Sequence, residues 1–198
     1  MNTRILRRPR RGFTLVELLV VIAIIAVLAA MGFAGAQAAI SRAKKTKARK
    51  ICVTMDQAVL SFYDEYGHMP VVGSSTADRE VVTDTGDGLK LVTILLGYES
   101  ESSSMENKKK VRFFEAPEAK AKRDGISYAG SGSSSTNTVE GLFDPWGQPY
   151  RVVLDADYDE MLKDPLATGK QLRRRVATYT WGRNKKSDRG GGDDVSSW

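Results

Sequence analysis

Gly12-Phe13-Thr14-Leu15-Val16-Glu17 runs directly into LLVVIAIIAVLAAMGFAGA, Leu18 to Ala36, and this stretch decides how the chain is read. The second part carries no charge and no strongly polar group, and about 20 such residues span a bilayer as a helix. Glu17 stands at the head of the run. A carboxylate there is costly in lipid and calls for a partner or a task. Upstream, residues 1–12 (MNTRILRRPRRG) hold Arg4, Arg7, Arg8, Arg10 and Arg11 with no acid.

The remaining composition fits one globular domain plus this appendage. The chain has 198 residues, 30 Lys and Arg against 24 Asp and Glu, one Cys and one His. Charged residues at 27% and aromatics at 8% exclude wholesale disorder and a collagen-like chain. A lone Cys52 forms no internal disulfide, and with a lone His68 it leaves too few soft ligands for a Cys/His zinc site. The formal charge of +6 suggests nucleic acid until its location is considered: without the five leader arginines the balance is 25 basic against 24 acidic side chains.

Three readings compete for the amino terminus. A secretory signal has a basic start, and Ala34-Gly35-Ala36 would serve as its small-residue cleavage site, but this apolar run is longer than usual. A twin-arginine signal at Arg10-Arg11 leaves Glu17 unexplained. The third reading takes the residues together: Gly12, Phe13 and Glu17, at fixed offsets from one another and from the apolar run, resemble the class III signal of type IV prepilins and type II secretion pseudopilins. That resemblance implies a membrane-embedded prepilin peptidase that cuts after Gly12 and methylates the new terminus, Phe13. It also implies a partner for Glu17, the terminal amine of Phe13 on a neighbouring subunit. Two charges that neutralise each other in a low-dielectric setting select one axial stagger. One departure is that the helix-kinking Pro common in the family is replaced by Ala34, between Gly32 and Gly35.

After the span, Arg42, Lys44, Lys45, Lys47, Arg49 and Lys50 form a basic collar without an acid or a stacking aromatic, so no nucleic-acid partner is expected. Five charges before the span and six after it leave orientation unresolved by charge; the prepilin resemblance alone places the leader in the cytoplasm. From Ala48, apolar residues at Cys52, Met55, Val59, Phe62 and Tyr66 mark one face of an amphipathic helix ending at Gly67 and Pro70. The expected fold is α+β, a pilin fold. Its parts are a cleaved leader (1–12), a transmembrane and polymerisation helix (13–40), the amphipathic half of the same helix (41–66), and an antiparallel-sheet head with long loops (67–198).

Within the head, residues 73–88 read as turn-rich, and Gly88 to Leu96 as a second helix stopped by Gly97. Residues 99–110 and 130–138 read as mobile low-complexity loops, and 110–116 and 125–129 as short strands. Asp144-Pro145-Trp146-Gly147 is a turn signal leading into an extended run at 151–155, which the stretch 176–181 can pair with antiparallel. Trp146 and Tyr150 are expected to lock the sheet onto the helix. The whole motif is similar to the Asp-Pro-Trp-Gly-x-Pro-Tyr turn of the type II secretion major pseudopilin. The tail resembles that protein's calcium loop, which implies Asp194, Asn184, Asp188 and Asp193 as candidate calcium ligands. Asn184 in place of an acid, with Lys185, Lys186 and Arg189 beside it, weakens that expectation.

No nucleophile elbow, Walker loop, paired-His motif or dinucleotide fingerprint occurs, and the acids Asp155, Asp157, Asp159 and Glu160 read as a solvated loop, so no enzyme is expected. The resemblance implies a filament subunit of the bacterial inner membrane that drives protein export. Its expected partners are identical subunits, prepilin peptidase, inner-membrane secretion or pilus assembly proteins, and membrane lipid. A type IV pilin, a minor pseudopilin and a non-polymerising single-span protein are the alternatives.

Overall fold

The computed structural model describes residues 12–73, 77–129 and 138–198, the side chains of 31–35 excepted. The leader arginines and residues 130–137 of the second polar loop lie outside what is described, and of Gly32, Ala34 and Gly35 only the helical backbone is described. The chain divides into two units, Met1–Arg42 and Ala43–Trp198. Helix α1, Leu15–Tyr66, belongs to both.

In the first unit the apolar side chains are solvent-facing all round, from Phe13, 77% exposed, to Leu28, 63% exposed. A helix apolar on every side normally lies within protein or lipid. Among the described residues no helix is long and apolar enough to cross a membrane; the expected span includes residues 31–35, whose side chains are not described.

In the second unit α1 is amphipathic, as its spacing predicts. Ala48, Cys52, Met55, Val59 and Phe62 have no exposed surface to speak of, and the helix closes where the Gly67 N–H donates to the Tyr63 carbonyl at 2.8 Å. These residues join one core with a four-stranded antiparallel sheet. The sheet runs in the order β1 (Arg79–Val82), β4 (Arg151–Leu154), β7 (Val176–Thr180), β8 (Val195–Ser196). Side chains alternate across a strand. Accordingly Val152, Leu154 and Val176 join the core with α1, while Val153, Ala177 and Tyr179 form a second cluster with Leu162 and Leu166. Two buried faces explain why β4 and β7 read as almost continuous apolar runs.

The expected pairing of 151–155 with 176–181 is present, with Arg151 opposite Tyr179 and Leu154 opposite Val176. Helix α2, Gly86–Leu96, ends at Gly97 as expected. It packs against β1 so closely that a Cβ on Gly88 would lie 1.9 Å from the Val82 carbonyl oxygen. The strand at 125–128 is β2 (Gly125–Tyr128), and it pairs antiparallel with β3 (Val139–Phe143).

Several expectations need correction. The turn-rich segment 73–88 contains edge strand β1. Residues 110–116 are not a strand: the Phe113 and Phe114 N–H groups both donate to the Leu95 carbonyl, at 2.9 and 3.1 Å, which ties the segment to the end of α2 and buries Phe114. Segment 99–110 is organised around buried Asn107. That side chain accepts from the Tyr66 hydroxyl at 2.8 Å and donates to the Ile94 and Val111 carbonyls at 2.8 and 2.7 Å. The acids after β4 are not a plain solvated loop either, because Asp155 is fully buried and the chain continues into a hairpin of β5 (Met161–Lys163) and β6 (Gln171–Arg173).

Candidate functional site

The amino-terminal site begins with a helix cap. Thr14 stands just before α1 and Glu17 in its first turn, and the two exchange hydrogen bonds. The Glu17 N–H donates to Thr14 Oγ1 at 3.2 Å. The Thr14 N–H and hydroxyl donate to Glu17 Oε2 at 2.9 and 2.8 Å. This is a capping box, which satisfies donors that the first turn of a helix leaves open. The Thr-x-x-Glu spacing was legible in the sequence as a helix start. Phe13 and Glu17 are exposed, and a Cβ built on Gly12 would meet nothing within 4 Å. Among the described residues, no packing contact requires glycine at position 12.

Of the four residues expected to hold calcium, the tail loop gathers all four, but into a hydrogen-bond network. The Asn184 N–H and Nδ2 donate to Asp193 Oδ2 and Asp188 Oδ2, each at 2.7 Å. The Asp188 and Gly190 N–H groups donate to Asp194 Oδ2 at 2.8 and 3.0 Å. Lys45 Nζ donates to the Gly192 carbonyl at 2.6 Å, placing an ammonium where a bound cation would compete for loop oxygens. As arranged, these residues do not fit a preformed calcium site, although Asp194 Oδ1 is buried without a partner. Backbone donors, led by the Asp193 N–H, hold Asp188 below the usual carboxylate range, and burial pushes Asp194 up.

The Asp144 turn is built as its residues predict. Asp144 Oδ1 accepts from the Trp146 and Gln148 N–H groups, both at 2.8 Å, and Oδ2 accepts from the Thr180 hydroxyl on β7 at 2.7 Å. Tyr150 is fully buried and Trp146 packs on the main core, which locks the turn to the helix-facing side of the sheet. Burial raises both the Tyr150 hydroxyl and the Cys52 thiol well above their usual values, so neither is poised for chemistry at neutral pH.

Two of the acids that the sequence reads as a solvated loop, Asp155 and Asp157, converge with Asp78, which the sequence does not single out. Asp78, Asp155 and Asp157 each bring a carboxylate oxygen within 4.8 Å of the others, and among the described residues they are the one such group of three.

Comparison with known proteins bears on the amino terminus. The family model described as the prokaryotic N-terminal methylation motif matches residues 7–33. This chain carries a prepilin-type signal. No curated protein and no solved structure matched. The prepilin motif implies processing by a prepilin peptidase and supports a type IV pilin-like subunit at the cell envelope. It covers Gly12, Phe13, Thr14 and Glu17 together, so the capping box lies inside the prepilin motif and begins two residues beyond Gly12.

Proposed function

We propose that this chain is a structural, non-catalytic subunit of a pilus-like filament, the major pseudopilin of a type II secretion system. The leader is removed after Gly12, Phe13 is N-methylated, and the subunit is held in the inner membrane by its apolar helix until it polymerises to drive protein export. The observation that carries the reading is the methylation motif at residues 7–33, placed at the start of a helix whose next turns are apolar on every side. A glycine that its own fold does not require is consistent with a demand imposed from outside, by a protease that must approach the backbone closely. The Asp144 to Tyr150 turn, formed as a buried hydrogen-bonded unit, supports the pseudopilin assignment over an adhesive pilin.

In this scheme Glu17 neutralises the Phe13 amine of the neighbouring subunit and so sets the axial stagger. The capping box uses Oε2, and no hydrogen bond to Oε1 is present among the described residues. Mass spectrometry of the membrane-extracted chain tests the processing step: the expected terminus is N-methyl-Phe13, and a terminus after Ala36 overturns it. Glu17→Ala tests assembly. It is expected to leave the cut and the membrane level unchanged while abolishing filaments, and filaments at the normal level would refute registration by Glu17.

A further inference from the structure

Asp78 is the residue before β1 and Asp155 the residue after β4. The ladder between those strands pairs Arg79 with Leu154, so the two aspartates are the next positions along opposite strands at the point where the pairing ends. Asp157 comes two residues later, in the connection to β5. Like charges set across from each other on adjacent strands are destabilising. Among the described residues no basic side chain forms an ion pair within 4.0 Å of any of the three, so no contact cation relieves the repulsion. Lys163 is near enough to act on Asp78, but Asp159 adds a further negative charge to the same neighbourhood.

A second observation points to an absent counter-charge. Asp155 has no exposed surface, and while its Oδ2 accepts the Glu160 N–H at 3.0 Å, its Oδ1 is buried with no hydrogen-bond partner. Asp78 Oδ1 is likewise buried and unpartnered. A buried carboxylate oxygen left without a donor is costly, and fully buried acids are normally paired or bound to metal. Two such oxygens in one three-carboxylate cluster are what a hard cation would satisfy.

We propose that Asp78, Asp155 and Asp157 form a calcium site that staples edge strand β1 to β4 and fixes the start of the 155–160 connection. Calcium takes six to eight oxygens at about 2.3–2.6 Å in a flexible geometry, and three carboxylate oxygens within 4.8 Å of one another are close enough to share one such ion. Magnesium at about 2.1 Å needs a tighter, octahedral set. Exposed Asp157 leaves the outer coordination positions to water. The connection also carries Tyr158, whose hydroxyl accepts the Met69 N–H at 3.1 Å, so a cation here would tie the sheet edge to the segment that follows α1. The site is separate from the tail loop and does not depend on the filament reading.

The test is calcium titration of the full-length purified chain, stripped with chelator, by calorimetry and thermal melting, with magnesium in a parallel series. Wild type and Asp194→Asn are expected to bind one Ca2+ per chain, with magnesium binding more weakly. Asp157→Asn, an exposed change that leaves the core untouched, and Asp78→Asn are expected to bind calcium about tenfold or more weakly. In chelator, Asp157→Asn should melt above wild type because one repulsive charge is gone, and saturating calcium should reverse that order. The proposal fails if no saturable binding occurs up to about 1 mM calcium, the weak end of protein calcium modules. It also fails if Asp157→Asn binds like wild type, or if Asp194→Asn is the variant that loses the ion.

Discussion

Asp144 shows how much one side chain can organise. Its two oxygens hold the Trp146 and Gln148 N–H groups and the Thr180 hydroxyl, which ties a turn to a strand 36 residues away in sequence. Burial raises its carboxyl and these hydrogen bonds pull it back down, so the side chain is useful only while all three donors are in place. Asp144→Ala would strand those donors, and each buried group left unpaired costs about 1–3 kcal/mol. Chemical denaturation of the purified chain is expected to show a loss of about 3 kcal/mol or more. A loss under about 1 kcal/mol would mean that water replaces the carboxylate. Glu17 is the counterpart at the other end of the chain, where a single carboxylate caps its own helix.

Helix α2 depends on a close approach. Gly88 faces the Val82 backbone, and the Cβ of an alanine would sit 1.9 Å from the carbonyl oxygen, a distance that only movement of helix or strand relieves. Gly88→Ala is otherwise a helix-favouring change worth about 1 kcal/mol in an open position. The overpacking cost, about 1–3 kcal/mol or more, is expected to win. The variant should therefore melt below wild type, and a rise in melting temperature would show that α2 can slide outward freely. The same element explains two expectations that needed correction. Residues 110–116 have strand-like composition, yet the Phe113 and Phe114 N–H groups are taken by the Leu95 carbonyl at the end of α2. Strand β1 hides in a polar stretch because half of what makes it a strand is its pairing with β4.

For the second unit as a whole, the telling group is Asp56, carried by α1 into the interface with the sheet. Burial pushes its carboxyl up to about 6, against the opposing pull of Ser197, Thr178 and Arg174, whose Nη1 lies 3.3 Å away. In the unfolded chain an aspartate titrates near 3.9. The folded state therefore holds its proton more tightly than the unfolded state does. The stabilisation is fully present below about pH 4 and is lost as pH rises through about 6, a difference of about 3 kcal/mol from this group. Asp56→Asn removes the titration while keeping the shape. The stability of the variant relative to wild type should rise by about that amount between pH 4 and pH 7. A constant difference across that range would mean Asp56 stays ionised when buried.

Much of this was readable in one dimension because it is local. Gly12, Phe13 and Glu17 form a spacing rule, the 3-and-4 periodicity of Ala48 to Phe62 marks a helix face, and Asp144-Pro145-Trp146-Gly147 is turn chemistry that works within seven residues. The Thr14–Glu17 cap is equally local, a Thr-x-x-Glu spacing closed by hydrogen bonds within one helical turn. What the order of residues could not supply was convergence. Asp78 and Asp155 are 77 positions apart and meet only because β1 pairs with β4 in one register, and the same chain closure brings the tail acids against backbone donors. By itself, then, the sequence determined the signal, the helices and the turn, where each residue's neighbours in space are its neighbours along the chain. The tertiary structure alone decided which carboxylates are buried together and which are spent on hydrogen bonds, because burial and charge repulsion depend on distances that only the closed sheet sets.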